Sequence, residues 1–326
     1  MKLRHALTYA LSILMGLALA SQAKALSVSP AVMDFDLDPG TQKSGKISLY
    51  NDTNNPHTYS INTQRFKAGG EDGAPDILDE ETDNVVNDLK DWIKFPRDQK
   101  ITLQPGELKD FNFNIEVPVN AEPGGHYAVV FFSISSDVEE GSGIGLGAKL
   151  GVLVMVNISG EIKEGSNIES FTIKNSFISH LPAEMTLRIK NSGTNYFRPK
   201  GNVTIRNIFG KEVTKIPCNP KASAVLPNSI RRIDTWWVKD DKSIDDKGFI
   251  SGISNEWKNF GFGYYTATAY VTYGTKDVKL EPMTVSFWVI PWRICLATLL
   301  GLAVLYGIIY LYNKAIISSA MKKQKK

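Results

Sequence analysis

Residues 294–312 read ICLATLLGLAVLYGIIYLY, nineteen positions without a charge. At about 1.5 Å rise per residue a helix of this length spans about 28 Å, close to the thickness of a bilayer core. In hydrocarbon every backbone group must be paired within the segment, so a lone segment can only be a helix there. Trp288 and Trp292 precede the run and Tyr310 and Tyr312 close it, as amphipathic rings do at the two membrane interfaces. Pro291 suits a first helical turn, where its missing N–H is not needed, and Arg293 can reach outward to the headgroups. Residues 291–312 are therefore expected to form one transmembrane helix. The following segment, 313–326, carries Lys314, Lys322, Lys323, Lys325 and Lys326 and no acidic residue. The positive-inside rule assigns it to the cytoplasm and everything before the span to the outside.

The other end agrees with this topology. Lys2, Arg4 and His5 lead into an apolar run over 6–20, and Ala23-Lys24-Ala25 offers a small–x–small cleavage pattern. Residues 1–25 thus read as a signal peptide, with Leu26 as the expected mature start. Export changes the meaning of the formal net charge of +3. Three of the 37 basic residues lie in the leader and six in 291–326, while all 34 acidic residues lie between, leaving 28 basic against 34 acidic, or −6. An anionic exported part does not suit nucleic acid.

Between 26 and 290 the pattern is one of short alternating segments broken by turn signals. In 33–38, Met33, Phe35 and Leu37 share one face and Asp34, Asp36 and Asp38 the other, and Pro39-Gly40 closes the segment. Further strands are expected at 46–50, 59–63, 101–103, 111–117, 127–134, 150–158, 171–174, 185–190, 202–207, 230–238, 264–273 and 279–289. No convincing long amphipathic helix is read, and the one helical turn expected is at 88–95. Strands so spaced argue for an all-β exported part of two tandem Ig-like β-sandwiches, 26–160 and 161–290. The halves echo each other: Leu49-Tyr50-Asn51 runs into an Asn-rich turn, as does Ile189-Lys190-Asn191. Tyr127, and Tyr264 or Tyr265, stand at the start of late strands, as corner tyrosines do in Greek-key sandwiches.

Leu26-Ser27-Val28-Ser29-Pro30, Pro39-Gly40, Leu49-Tyr50-Asn51, residues 103–106 and Val117-Pro118 resemble the first domain of WxL-interacting-protein-like bacterial cell-surface proteins. Asn191-Ser192-Gly193, Pro199, Gly201, the Ile208-Phe209-Gly210-Lys211 turn and Leu226-Pro227 are similar to their second domain. That resemblance implies peptidoglycan binding by the first half and binding of a host or partner protein by the second. The first half is also similar to the N-terminal sandwich of periplasmic pilus chaperones, without a matched basic pair for their carboxylate-anchoring site.

Chemistry is sparse. The two cysteines, Cys218 and Cys295, fall in different settings and are not expected to meet, and the four histidines form no metal or nucleophile–base pattern. Asp34, Asp36 and Asp38 begin like a calcium loop, but Pro39 and Gly45 stand where Gly and Glu are required. The acidic stretch 71–83 leaves calcium binding open. The glycine-rich 141–147 lacks a following Lys-Ser/Thr and reads as a hairpin tip. Trp257, Phe260 and Phe262 are read either as a small core at a sandwich end or as an exposed platform for sugar or protein, the best candidate contact region. The expectation is a single-pass membrane protein, not an enzyme, with no cofactor and no metal, binding cell-wall polymer or a secreted or surface protein. The alternative is a structural or chaperone-like scaffold subunit of an envelope complex.

Overall fold

The computed structural model describes residues 26–78, 88–95, 99–134, 149–239 and 248–324. The leader, the acidic residues 80–83 and the glycine-rich 141–147 lie outside them. The chain is mostly β and divides into two compact units, one of Met1–Lys67 with Asp76–Glu161, the other of Ala68–Pro75 with Ile162–Lys326.

The first eleven strands are β1 (Leu26–Ser29), β2 (Val32–Leu37), β3 (Gln42–Asn51), β4 (His57–Gln64), β5 (Phe66–Gly69), β6 (Ala74–Ile77), β7 (Ile93–Lys94), β8 (Lys100–Leu103), β9 (Leu108–Glu116), β10 (Gly124–Ile134) and β11 (Lys149–Ile158). In the first unit one sheet runs β1-β3-β9-β7 and a second β2-β11-β10-β4-β8; β5 and β6 form a separate ribbon, of which residues 68–75 belong to the second unit. The two sheets enclose one core. Ile47, Leu49, Phe113 and Ile115 of the first sheet meet Ile61, Val130, Phe132, Val154 and Val156 of the second. Alternation places these side chains inward at every second position, and each contributes about 1.5–3 kcal/mol by leaving water. β1 and β2 follow one another yet join different sheets: β1 pairs β3 antiparallel and β2 pairs β11 in parallel. The aspartates of β2 are exposed, as the alternation requires. The turn expected at 88–95 is a single 3₁₀ turn, Lys90–Trp92.

The remaining strands are β12 (Ser166–Ile173), β13 (Phe177–Ile178), β14 (Ala183–Asn191), β15 (Lys200–Asn207), β16 (Glu212–Pro217), β17 (Ser229–Trp237), β18 (Gly263–Tyr273), β19 (Val278–Lys279) and β20 (Met283–Val289). In the second unit β12-β14-β17 form one sheet and β13-β20-β18-β15-β16 the other, with β19 beside β18. Leu187, Ile189, Ile233 and Trp237 pack against Val203, Ile205, Ala267, Ala269 and Phe287. Trp236 and Trp237 point to opposite faces: Trp237 is buried and Trp236 exposed. The strand expected over 279–289 is broken by Glu281-Pro282, since proline has no N–H to give the ladder. Two helices complete this unit, α1 (Phe249–Lys258) and α2 (Trp292–Gln324). α1 has no counterpart in the sequence reading. α2 contains a 26-residue stretch, Trp292–Ile317, long and apolar enough to cross a membrane.

The echo between the halves has a physical basis. Asn51 ends β3 with its side chain buried; its Nδ2 donates to the carbonyls of Asn55 at 2.9 Å and Leu103 at 3.2 Å, and its Oδ1 accepts from Thr53 N–H at 3.0 Å. Asn191 ends β14 in the same way, donating to Asn195 at 2.8 Å and Val225 at 2.9 Å and accepting from Gly193 N–H at 2.8 Å. Each amide supplies the buried backbone with the bonds that the departing chain no longer makes.

Candidate binding groove of the first unit

β8 ends its sheet: it pairs β4 on one side, and no strand among the described residues flanks the other. β9 pairs β3 along its length, but on its far side β7 reaches only Ile115 and Asn114. Among the described residues, 108–112 of β9 have no strand partner on that side. The two edges flank a groove of about 450 Å³, lined by Lys100, Ile101 and Thr102 of β8 and by Lys109, Asp110, Phe111 and Asn112 of β9. Its floor is apolar. Ile101 and Phe111 are buried core residues, and Phe111 is fixed edge-on against Phe132 at 5.8 Å between ring centres. The rim is polar, with Lys100, Lys109 and Thr102 exposed. Asp110 is held by Ser48 Oγ at 2.7 Å and Lys46 Nζ at 3.0 Å. These bonds, first that from Ser48 and then that from Lys46, hold its carboxyl below the usual range. Unpaired strand edges over an apolar floor can take an extended peptide, which gains ladder hydrogen bonds and places alternate side chains inward. The sequence shows the strands that form this groove; that their edges stay open is a property of the pairing.

The aromatic residues singled out in the sequence lie in the second unit. Trp257 is 73% exposed and Phe260 and Phe262 are also exposed, Trp257 on α1 and the other two between α1 and β18. Tyr265 is buried, and its hydroxyl donates to the Phe262 carbonyl at 3.2 Å. Tyr264 lies against Trp288, with ring centres 5.3 Å apart. Tyr127, in the first unit, is buried beside Phe66 at 6.0 Å, and its carbonyl accepts from Leu89 N–H. Trp292 and Arg293 begin α2, and Tyr310 and Tyr312 are exposed along it.

Of the acidic stretch, Glu71 accepts from Arg188 Nε at 2.7 Å and Asp72 lies 3.0 Å from Arg232. The hydrogen bond and charge of Arg188 hold the Glu71 carboxyl low. Among the described residues no group of three or more His, Cys, Asp or Glu side chains could hold a metal ion. Cys218 is buried and Cys295 exposed, and both are free thiols.

No family model matches the chain, and no curated protein matches it. Among solved structures it is similar to the class 5 fimbriae chaperone CfaA, at 12% identity over 82% of this chain and 99% of that one, with a TM-score of 0.38. The E. coli chaperone DraB is 9% identical over 81% of this chain and 97% of its own, with a TM-score of 0.35. A Porphyromonas gingivalis protein of unknown function is 14% identical over 81% of this chain and 99% of its own, with a TM-score of 0.27.

Proposed function

We propose that the chain is a membrane-tethered, non-catalytic protein of a bacterial envelope, built from two Ig-like sandwiches and one membrane span. In this reading its first unit holds an extended segment of a partner protein. The orientation is N-terminal units outside and basic tail inside, supported by the charge asymmetry around α2. The observation that carries the protein-binding reading is the pair of edges without a strand partner among the described residues, β8 and residues 108–112 of β9, over the floor of Ile101 and Phe111. A partner strand added to either edge would place apolar side chains on that floor, with its flanks between Lys100 and Lys109. This is the chaperone-like or scaffold reading. The WxL-interacting-like resemblance favours a wall polymer for the same unit, but a groove flanked by strand edges offers the backbone hydrogen bonds that a peptide takes up more fully than a sugar chain.

The test is co-purification from native membranes, comparing the wild-type chain with a Lys100→Glu, Lys109→Glu double variant. The two rim lysines suit a segment with acidic flanks, and reversing their charge is expected to reduce the recovered partner by about tenfold, the ratio that about 1.4 kcal/mol gives. The exported part should not sediment with purified wall. Wall sedimentation that the double variant leaves unchanged would overturn the reading in favour of the polymer.

A further inference from the structure

α1 is built inside out. Its buried residues are Gly252, Asn255 and Glu256, whereas Ile250 is 82% and Trp257 73% exposed and Phe249 is exposed as well. At 100° per residue Phe249, Ile250 and Trp257 fall within about 100° of one another, while the buried Asn255 lies on the opposite face and the buried Glu256 at the edge of the apolar arc, beside Phe249. A helix resting on a protein in water shows the reverse arrangement. What fixes the polar face inward is the start of α2. The Glu256 carboxylate, fully buried, accepts the Arg293 N–H at 3.2 Å and the Ile294 N–H at 2.9 Å, two of the donors that a helix N-terminus leaves unpaired. The Phe249 and Trp292 rings lie 6.4 Å apart.

An independent apolar tip lies at the same end. Asn207 of β15 is opposite Tyr265 of β18, which is opposite Phe287 of β20. The β15–β16 turn, the start of β18 and the exit of β20 toward α2 therefore share one end of the sheet. That turn presents Ile208 and Phe209, the latter 89% exposed, where polar residues are the rule. It is held rigidly: Asn207 Oδ1 accepts from both Phe209 N–H and Lys211 N–H at 3.1 Å, and Gly210 takes the positive φ of 73° that the turn needs. At the opposite end of the sheet the β18–β19 turn is Gly274-Thr275-Lys276-Asp277, all polar.

We propose that this end of the second unit is a lipid-contacting surface, with the outer face of α1 and the Ile208-Phe209 tip seated in the headgroup–acyl boundary of the membrane that α2 crosses. The occupant is a bilayer because the surface is continuous with the first turn of the apolar helix and because its exposed groups are the aromatic and aliphatic ones that favour that boundary. Lys211 and Lys258, exposed beside it, are placed to meet lipid phosphates. This inference rests on the reading of α2 as a membrane span.

The test uses the full chain with Cys295→Ser, reconstituted in phosphatidylcholine vesicles and carrying a nitrobenzoxadiazole label on one introduced cysteine at position 209, 250, 257, 275 or 302. Cys218 is buried and should not label. Brominated acyl chains are expected to quench the labels at 209, 250 and 257 by at least about twofold, as for side chains seated in the interface, and to leave the label at 275 unchanged. The label at 302, within α2, separates the two readings. Quenching at 302 without quenching at 250 and 257 would overturn the lipid-contact surface while the span stands, and would mean that a protein covers α1. No quenching at 302 would overturn the span and the inference together. All five positions are exposed, and unchanged unfolding midpoints would establish that each labelled chain is folded.

Discussion

In the groove between β8 and β9 the apolar side chains of Ile101 and Phe111 form the floor and the charges of Lys100 and Lys109 the rim; in α1 the polar side chains of Asn255 and Glu256 lie inside, and Ile250 and Trp257 lie outside. The first arrangement is stable in water when empty, because its apolar floor is also the core of a sandwich. The second keeps its apolar face out because its polar face is needed to finish another helix. Burial therefore separates two kinds of exposed surface that composition alone does not. One is suited to a peptide arriving from water and the other to a phase that replaces water.

The largest expected effect is on the groove floor. Phe111→Ala should destabilise the first unit by about 3–5 kcal/mol, the usual cost of an emptied aromatic site, and should abolish partner binding. A near-neutral result in denaturant unfolding would mean that the floor is not core, and the contrast with α1 would collapse. Next is Glu256→Ala, which removes the acceptor of the Arg293 and Ile294 N–H groups. A loss of about 1–3 kcal/mol is expected for the second unit, seen as faster proteolysis within 248–262. If proteolysis is unchanged, the cap does not hold α1 in place. Tyr265→Phe removes the hydroxyl that bonds the Phe262 backbone and should cost about 1 kcal/mol at the same end of the sheet. Thermal unfolding of the variant would measure it, and an unshifted midpoint would remove that hydroxyl from the account.

The smallest effect is electrostatic. Asp110 is held below its ordinary value by Ser48 and Lys46, so its contribution to stability is present above the unfolded carboxyl pKa. It is lost as pH falls through the lower, folded value. Asp110→Asn should therefore flatten the acid side of the first unit's stability curve below about pH 4 and change little at neutral pH. An unaltered acid limb would show that the Ser48 and Lys46 contacts do not persist in solution.

Much of this molecule could be read from the chain. The strands β14 and β18 follow from alternation and β10 from its apolar run, and the buried amides of Asn51 and Asn191 explain why their two turns resemble each other in sequence. The apolar character of α2 is equally plain. α1 was hidden because Gly252, Ser254 and Asn255 read as loop, and because its apolar residues at 249, 250 and 257 face outward, where a helical stripe is not sought. The open edges were hidden for another reason. Which strand lacks a neighbour depends on pairings such as that of β7 with only Ile115 and Asn114, which no local pattern encodes. β16 was missed because EVTKIP offers few apolar residues to mark a strand.

The central claim is that a protein segment occupies the β8–β9 groove in the native envelope. A photo-cross-linking residue at Thr102, on the groove rim, can be compared in intact membranes with one at Thr275, on the polar end of the second unit's larger sheet. The account predicts one discrete protein adduct at 102, absent at 275 and lost in the Lys100→Glu, Lys109→Glu background. Equal adducts at both positions, or an adduct at 102 indifferent to those two charges, would contradict it.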